Sequence, residues 1–215
     1  NAGNTKTGTV SKGTGTVTEL TSSNAGFSYE PSGWTNGSVK ATASTTATGF
    51  TLQTSKDGTT WSSTAEQTFT GNGTIHARLW DGTNAGTTLS ANVTNIDKLA
   101  PNAFTPTATS TTKSITVTAS ATDADATSTS AKSGIAGYRF KLDNGSWTNY
   151  QTSGSYTWNN LTQTTNHTIT VEAKDNAGNT KTGTVSKGTG TIEQPTTATC
   201  TPTTWTSGSV TVTLP

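Results

Sequence analysis

The sequence predicts an all-β chain of tandem β-sandwich domains. Three observations carry this prediction: a 16-residue segment that recurs unchanged, short stretches alternating apolar with polar residues, and hairpin-turn dipeptides between them.

The recurring segment is NAGNTKTGTVSKGTGT. It opens at Asn1 and returns at Asn176, 175 positions later. A period of that length in a chain of short strands corresponds to two sandwich domains per repeat. A shorter period lies inside it. TIHARLWD from Thr74 to Asp81 parallels TITVEAKD from Thr168 to Asp175, and DGTTW from Asp57 parallels DNGSW from Asp143. WTNGSV from Trp34 is repeated as WTSGSV from Trp205. The parsing expected is a trailing strand over residues 1–16, domains over 17–97 and 98–191, and the opening strands of a further domain over 192–215.

Each strand follows from its own alternation. Ile75, Ala77 and Leu79 share one face, as do Ile169, Val171 and Ala173; Ile115 with Val117, and Tyr138 with Phe140 and Leu142, make two further faces. Asp57-Gly58 and Asn144-Gly145 are turn dipeptides, because Gly and Asn tolerate the positive φ that tight hairpins require. No stretch holds a helical period over three turns. Trp61 and Trp147, just after those turns, are the expected large core anchors.

Composition narrows the partners. With 13 basic against 12 acidic residues the formal charge is +1, too little basic excess to displace counterions from nucleic acid. Only 28% of residues are hydrophobic, and no run approaches the roughly 18 apolar residues of a membrane-spanning helix. Threonine makes up about a quarter of the chain, a β-branched filler that suits half-exposed strands and keeps them wet without charge. The one cysteine, Cys200, reads as a buried thiol or as half of a disulfide whose partner lies beyond Pro215.

With these residues placed, the chain resembles the bacterial immunoglobulin-like and fibronectin-type-III-like repeats of secreted and surface proteins. TITVEAKDNAGN from Thr168 to Asn179 is similar to the last strand and turn of such domains. SGIAGYRFKLDNGSW from Ser133 is similar to their central hairpin, and NIDKLAPNAFTP from Asn95 to the junction between domains. The first domain departs from the pattern, with WDGTNAG from Trp80 in place of KDNAGN from Lys174, which implies a longer last turn. The resemblance implies tandem immunoglobulin-like sandwiches with short linkers in an extracellular stalk, adhesin, fibre or accessory module. Its partners are neighbouring domains, identical chains in a strand-exchanged filament, or a surface glycan.

Catalytic chemistry finds no motif. No G-x-S-x-G elbow occurs, and His76 and His167 read as strand residues. No cofactor is expected except calcium. Asp123 and Asp125 lie in the loop TDADATSTSAKS, and with Asp175 they offer hard oxygens for that ion at a sandwich end, although the full spacing of a calcium loop is missing and a solvated loop is the other reading. The resemblance also implies a candidate Lys–Asn isopeptide bond, with Lys113 as the amine, Asn176 or Asn179 as the amide and Glu172 or Asp175 as the acid. A glycan-binding wall would use Trp80 and Trp158, which otherwise pack against their strands.

Overall fold

A computed structural model of the protein describes residues 16–192, 199–201, 204–205 and 207–213. All regular structure in them is β. The chain divides into two compact units. The first comprises Asn1–Pro101, Asp123–Ile135 and Asp175–Asn179, and the second Asn102–Thr122, Ala136–Lys174 and Thr180–Pro215.

In the first unit, β1 (Ala25–Glu30), β2 (Val39–Thr45) and β4 (Glu66–Phe69) form one antiparallel sheet in the order β1-β2-β4. The strands β3 (Thr51–Ser55), β5 (Gly73–Trp80) and β6 (Leu89–Val93) form the other, in the order β3-β5-β6. This division, with first, second and fourth strands on one sheet and third, fifth and sixth on the other, is that of an immunoglobulin-like sandwich. Alternation fixes the faces: along β5, Ile75, Ala77 and Leu79 are buried while Thr74, His76, Arg78 and Trp80 are only partly covered. Val39, Ala41 and Phe69 from one sheet meet Ile75 and Val93 from the other and Ile96 from the segment after β6. A second patch joins Ala43 to Ala77, Leu79, Val17 and Leu20.

The second unit repeats the plan. β7 (Thr107–Ser110), β8 (Ile115–Thr118) and β10 (Ser155–Trp158) form one sheet with β8 in the middle. β9 (Ile135–Leu142), β11 (Asn166–Asp175) and β12 (Thr180–Gly188) form the other with β11 in the middle. Ile115, Val117, Phe140, Ile169 and Val171 are fully buried, and Tyr156 stacks on Phe140 with ring centroids 5.5 Å apart. A short ladder, β13 (Thr199–Thr201) with β14 (Thr211–Thr213), follows. Cys200 faces Val212 in that register, but its side chain lies outside the described residues, as does the structure of residues 1–15.

The recurring segment has a definite role where it is described. Residues 176–191 form the turn after β11 and then the edge strand β12, paired with β11 from Asn166↔Gly188 to Lys174↔Thr180. Gly183 is buried there because the chain at Phe104 runs against it. A Cβ at this position would sit 2.6 Å from the Phe104 carbonyl oxygen and 2.9 Å from Pro106 Cδ. Gly183→Ala is therefore expected to destabilise the second unit by about 1–3 kcal/mol, the usual cost of overpacking. Gly190→Ala, whose Cβ meets nothing closer than 3.7 Å, is expected to leave the melting temperature unchanged or slightly raised. Paired thermal melts check the contrast.

Candidate functional site

A dense polar cluster lies in the first unit, where the linker after β6, the loop after β8 and the turn after β11 meet. Ile96 sets it up. It is fully buried and makes a parallel bridge with Thr35, so that Asp97 N–H donates to the Thr35 carbonyl. The Asn72 side chain closes on both backbone groups of Ile96, accepting from its N–H and donating to its carbonyl at 2.9 Å each. The next residue, Asp97, is thereby held inside, 1% exposed.

Asp97 Oδ1 accepts from Leu99 N–H at 3.0 Å and from Ser130 Oγ at 3.2 Å, and its Oδ2 accepts from Ser133 N–H at 2.9 Å. Burial alone would push this carboxyl upward. The hydrogen bonds from Ser133, Leu99 and Ser130 outweigh burial and hold it below the ordinary aspartate value. Asp123, 3% exposed, accepts from Gly134 N–H at 2.5 Å and from Ala124 N–H at 3.0 Å. Asp175, 1% exposed, accepts from the backbone and side-chain amides of Asn179, each at 2.8 Å. Asn179 also donates to the Asp97 carbonyl at 3.0 Å, and Asn176 donates to the carbonyls of Ser133 and Gly134. Gly178, at φ 98°, lets the turn fold back onto Asp175.

Oxygens of Asp97, Asp123 and Asp175 lie within 4.8 Å of one another. At that separation, with an effective dielectric constant of about 20, two carboxylates repel by roughly 3 kcal/mol. The amides and hydroxyls around them offset part of this, and no Lys or Arg forms an ion pair with Asp97 or Asp175 among the described residues. Three hard carboxylate oxygens in one buried place could supply part of the six to eight oxygens that a calcium ion takes.

Asp123 and Asp175 thus come together as the calcium reading requires, but Asp125 does not join them. Its side chain is 97% exposed and pairs with Lys132 at 3.1 Å, because the loop turns it outward two residues after Asp123. The third carboxylate is Asp97, which the sequence marked only as the last residue of the first domain, inside the junction that begins at Asn95. The one signal available was its position just after the last strand, two residues beyond Asn95 in NIDKLAP.

The cross-link candidates are committed elsewhere. Lys113 is exposed in the β7–β8 turn, whose carbonyl oxygen accepts from Leu161 N–H. Asn176 and Asn179 hold the turn described above. Glu172 Oε1 accepts from Arg139 Nε at 2.7 Å and from the Tyr150 hydroxyl in a very short bond. The structure brings no Lys, Asn and acid together among these residues.

The tryptophans occupy an unexpected place. Trp61 and Trp147 are not core anchors; each lies half-buried on the outer face of a sheet against a guanidinium. Arg78 sits 4.1 Å from the Trp61 ring and 5.7 Å from that of Trp80, with its Nε on Gln53 at 2.9 Å. In the second unit Lys141, Trp147, Arg139, Tyr150 and Lys174 alternate cation and ring, at 5.1, 4.7, 5.0 and 3.9 Å in turn. Trp80 is therefore part of a stack, and Trp158 packs edge-on to Tyr156 at 4.9 Å. Neither stands free as a sugar platform.

Each histidine bonds a polar side chain through its Nδ1. His76 Nδ1 bonds Ser90 Oγ at 2.8 Å. His167 Nδ1 lies 2.7 Å from Asp143 Oδ2, while Thr168 N–H donates to Oδ1 at 2.8 Å. These bonds hold Asp143 at φ 50°, so the aspartate, and not the following Asn-Gly, carries the positive φ of that turn. In the first unit Gly58 carries it, at 71°.

Neither a protein-family model nor a curated protein matches the sequence. Among solved structures the chain is similar to fibronectin(III)-like modules of Clostridium thermocellum CbhA, at 17% identity and a TM-score of 0.39, over 78% of this chain and 97% of that one. It is also similar to domains A168–A170 of titin, at 14% identity and a TM-score of 0.44, over 74% of this chain and 63% of that one. The assignment of the fold rests on the strand order described above.

The Asp143–His167 contact makes a pH prediction. The hydrogen bond from His167, with that from Thr168 N–H, holds the Asp143 carboxyl below its ordinary value in the folded protein. Its contribution is then complete above the unfolded value of about 3.9 and disappears as pH falls through the folded one. Asp143→Asn is expected to lower the urea midpoint at pH 7, and its deficit against the parent is expected to shrink as pH drops below about 4. Urea titrations across that range read it directly.

Proposed function

We propose that this chain is part of a non-catalytic, load-bearing stalk in a repetitive extracellular protein, built from immunoglobulin-like sandwiches whose partners are further domains of the same kind. The observation that carries the reading is the exact recurrence of residues 176–191 at 1–16. In its described copy that segment is the closing turn and edge strand of a sandwich. A protein that repeats a closing strand without change repeats whole sandwiches, and such an array acts through reach and resistance to load. A bacterial surface or fibre protein with an adhesive end is the setting this reading favours.

The Asp97–Asp123–Asp175 cluster fits the same role as a calcium site. An ion there would offset two of the three buried negative charges and tie the linker residue Asp97 to the loop at Asp123 and the turn at Asp175. A segment under tension gains from such a tie, because the linker would otherwise be the first part to yield.

Two measurements test these proposals separately. Saturating calcium is expected to raise the melting temperature over that in chelator by about 5–10 °C, corresponding to about 2.7 kcal/mol at a hundredfold excess over Kd. Asp97→Asn, Asp123→Asn and Asp175→Asn should each abolish the shift, whereas Asp125→Asn should keep it. An identical melt in calcium and chelator would remove the ion from the proposal and leave the stalk standing. For the stalk, single-molecule pulling on the chain is expected to show a discrete unfolding peak for each sandwich. Smooth extension at low force, with no peaks, would refute a load-bearing role.

A further inference from the structure

A cleft of about 580 Å³ opens in the first unit beside the acidic cluster, and no part of the stalk reading uses it. Its walls are the β4–β5 turn at Thr70–Gly73, the linker at Lys98 and Leu99, and the loop at Thr127–Ser130, with Lys56 at the rim. Its volume lies inside the roughly 300–1,000 Å³ of small-ligand sites.

The walls are braced before any ligand arrives. Asn72 N–H donates to the Thr129 carbonyl at 2.8 Å, and the Asn72 side chain is fixed to Ile96. Lys98 N–H donates to Ser130 Oγ at 2.9 Å, and Ala131 N–H to the Ile96 carbonyl at 2.8 Å. A Cβ on Gly71 would meet the Thr129 carbonyl at 3.0 Å, so the turn and the loop are in close contact. A rigid cleft loses little ordering free energy when it binds.

Its chemistry points to one class of ligand. Lys56 and Lys98 are both exposed, and neither forms an ion pair among the described residues. Lys56 Nζ stays 5.6 Å from the Phe69 ring centroid, which keeps the ammonium at the rim. No Asp or Glu lines the cleft. Asp97 lies behind the wall with its oxygens on Leu99, Ser130 and Ser133. Phe69 and Leu99 add apolar surface, and Thr70, Thr127 and Thr129 add hydroxyls. Two ammoniums without an ion-pair partner among the described residues ask for an anion, while mixed hydroxyl and apolar walls match the OH and CH edges of a sugar ring.

We infer that this cleft binds an acidic saccharide, with Lys56 and Lys98 on its carboxylate and the threonine hydroxyls on its ring. The test is calorimetric titration of the whole chain with a trimer of galacturonic acid, beside its fully methyl-esterified form. Saturable binding of the acid and none of the ester is expected. Lys56→Gln/Lys98→Gln should weaken the acid trimer by about tenfold or more, the worth of a charge-assisted hydrogen bond, while Lys113→Gln/Lys181→Gln, with the same change in net charge, should not. In amide NMR spectra of the unmodified chain, the trimer should shift Gly71, Gly73 and Thr129 first. No saturable binding, equal binding of acid and ester, equal effects of the two double variants, or shifts confined to other residues would each overturn the assignment. Displacement of the trimer by an equal concentration of inorganic sulfate would also overturn it, by reducing the cleft to an unselective anion site.

Discussion

The structure depends on a shortage of apolar volume. Among the described residues the largest fully buried side chains are mostly Val and Ile, and Phe140 is the one aromatic among them. A sandwich of this size buries a modest share of its unfolded surface even when its core is rich. The burial free energy available per strand is correspondingly small, so other interactions must hold the sheets in register. The stacks on their outer faces answer this need. They cross strands and turns, they use aromatic rings that the core does not take, and each contact adds about 0.5–1 kcal/mol while staying compatible with water.

The two units build the same outer stack with different letters. Gln53 and Arg139 each stand four residues before the turn aspartate, and Arg78 and Glu172 each stand three before an aspartate at the end of the adjacent strand, Asp81 just after β5 and Asp175 last in β11. In one unit the guanidinium comes from the second position and bonds Gln53; in the other it comes from the first and bonds Glu172. Both times it lies against the tryptophan that follows the turn. The feature held in common is a guanidinium, clamped between a hydrogen-bond acceptor and an indole, and not an amino acid at a given position.

That exchange explains what the sequence disclosed. Strand faces were legible because alternation is a local property: Ile75, Ala77 and Leu79 read as inward and are inward. The turn at Asp57-Gly58 was legible for the same reason, whereas in the second unit the positive φ falls on Asp143 and not on the expected Asn144-Gly145. The tryptophans were misplaced because hydrophobicity alone sends Trp61 and Trp147 to the core, whereas their partners, Arg78 and Arg139, lie on a neighbouring strand or earlier on the hairpin and become neighbours only through the register. Asp125 and Asp97 failed in opposite ways. Nearness in sequence drew Asp125 into the cluster, yet successive positions in a loop point to different sides. Asp97 joins from a linker more than 25 residues before Asp123, and no local rule connects them.

The acidic cluster and the lysine cleft share a wall. Ser130 donates its hydroxyl to Asp97 on one side and accepts the Lys98 amide on the other. Ile96 receives Asn72 and Ala131, and both lie next to residues that line the cleft or hold Asp97. The groups that bury a negative charge are thus the groups that fix the backbone from which the Lys98 side chain extends. Burying Asp97 needs a closed, hydrogen-bonded loop over residues 127–133, because an unpaired carboxylate inside would be costly. Once that loop is closed, it stands rigidly opposite the β4–β5 turn, and a defined cleft results from satisfying the buried charge.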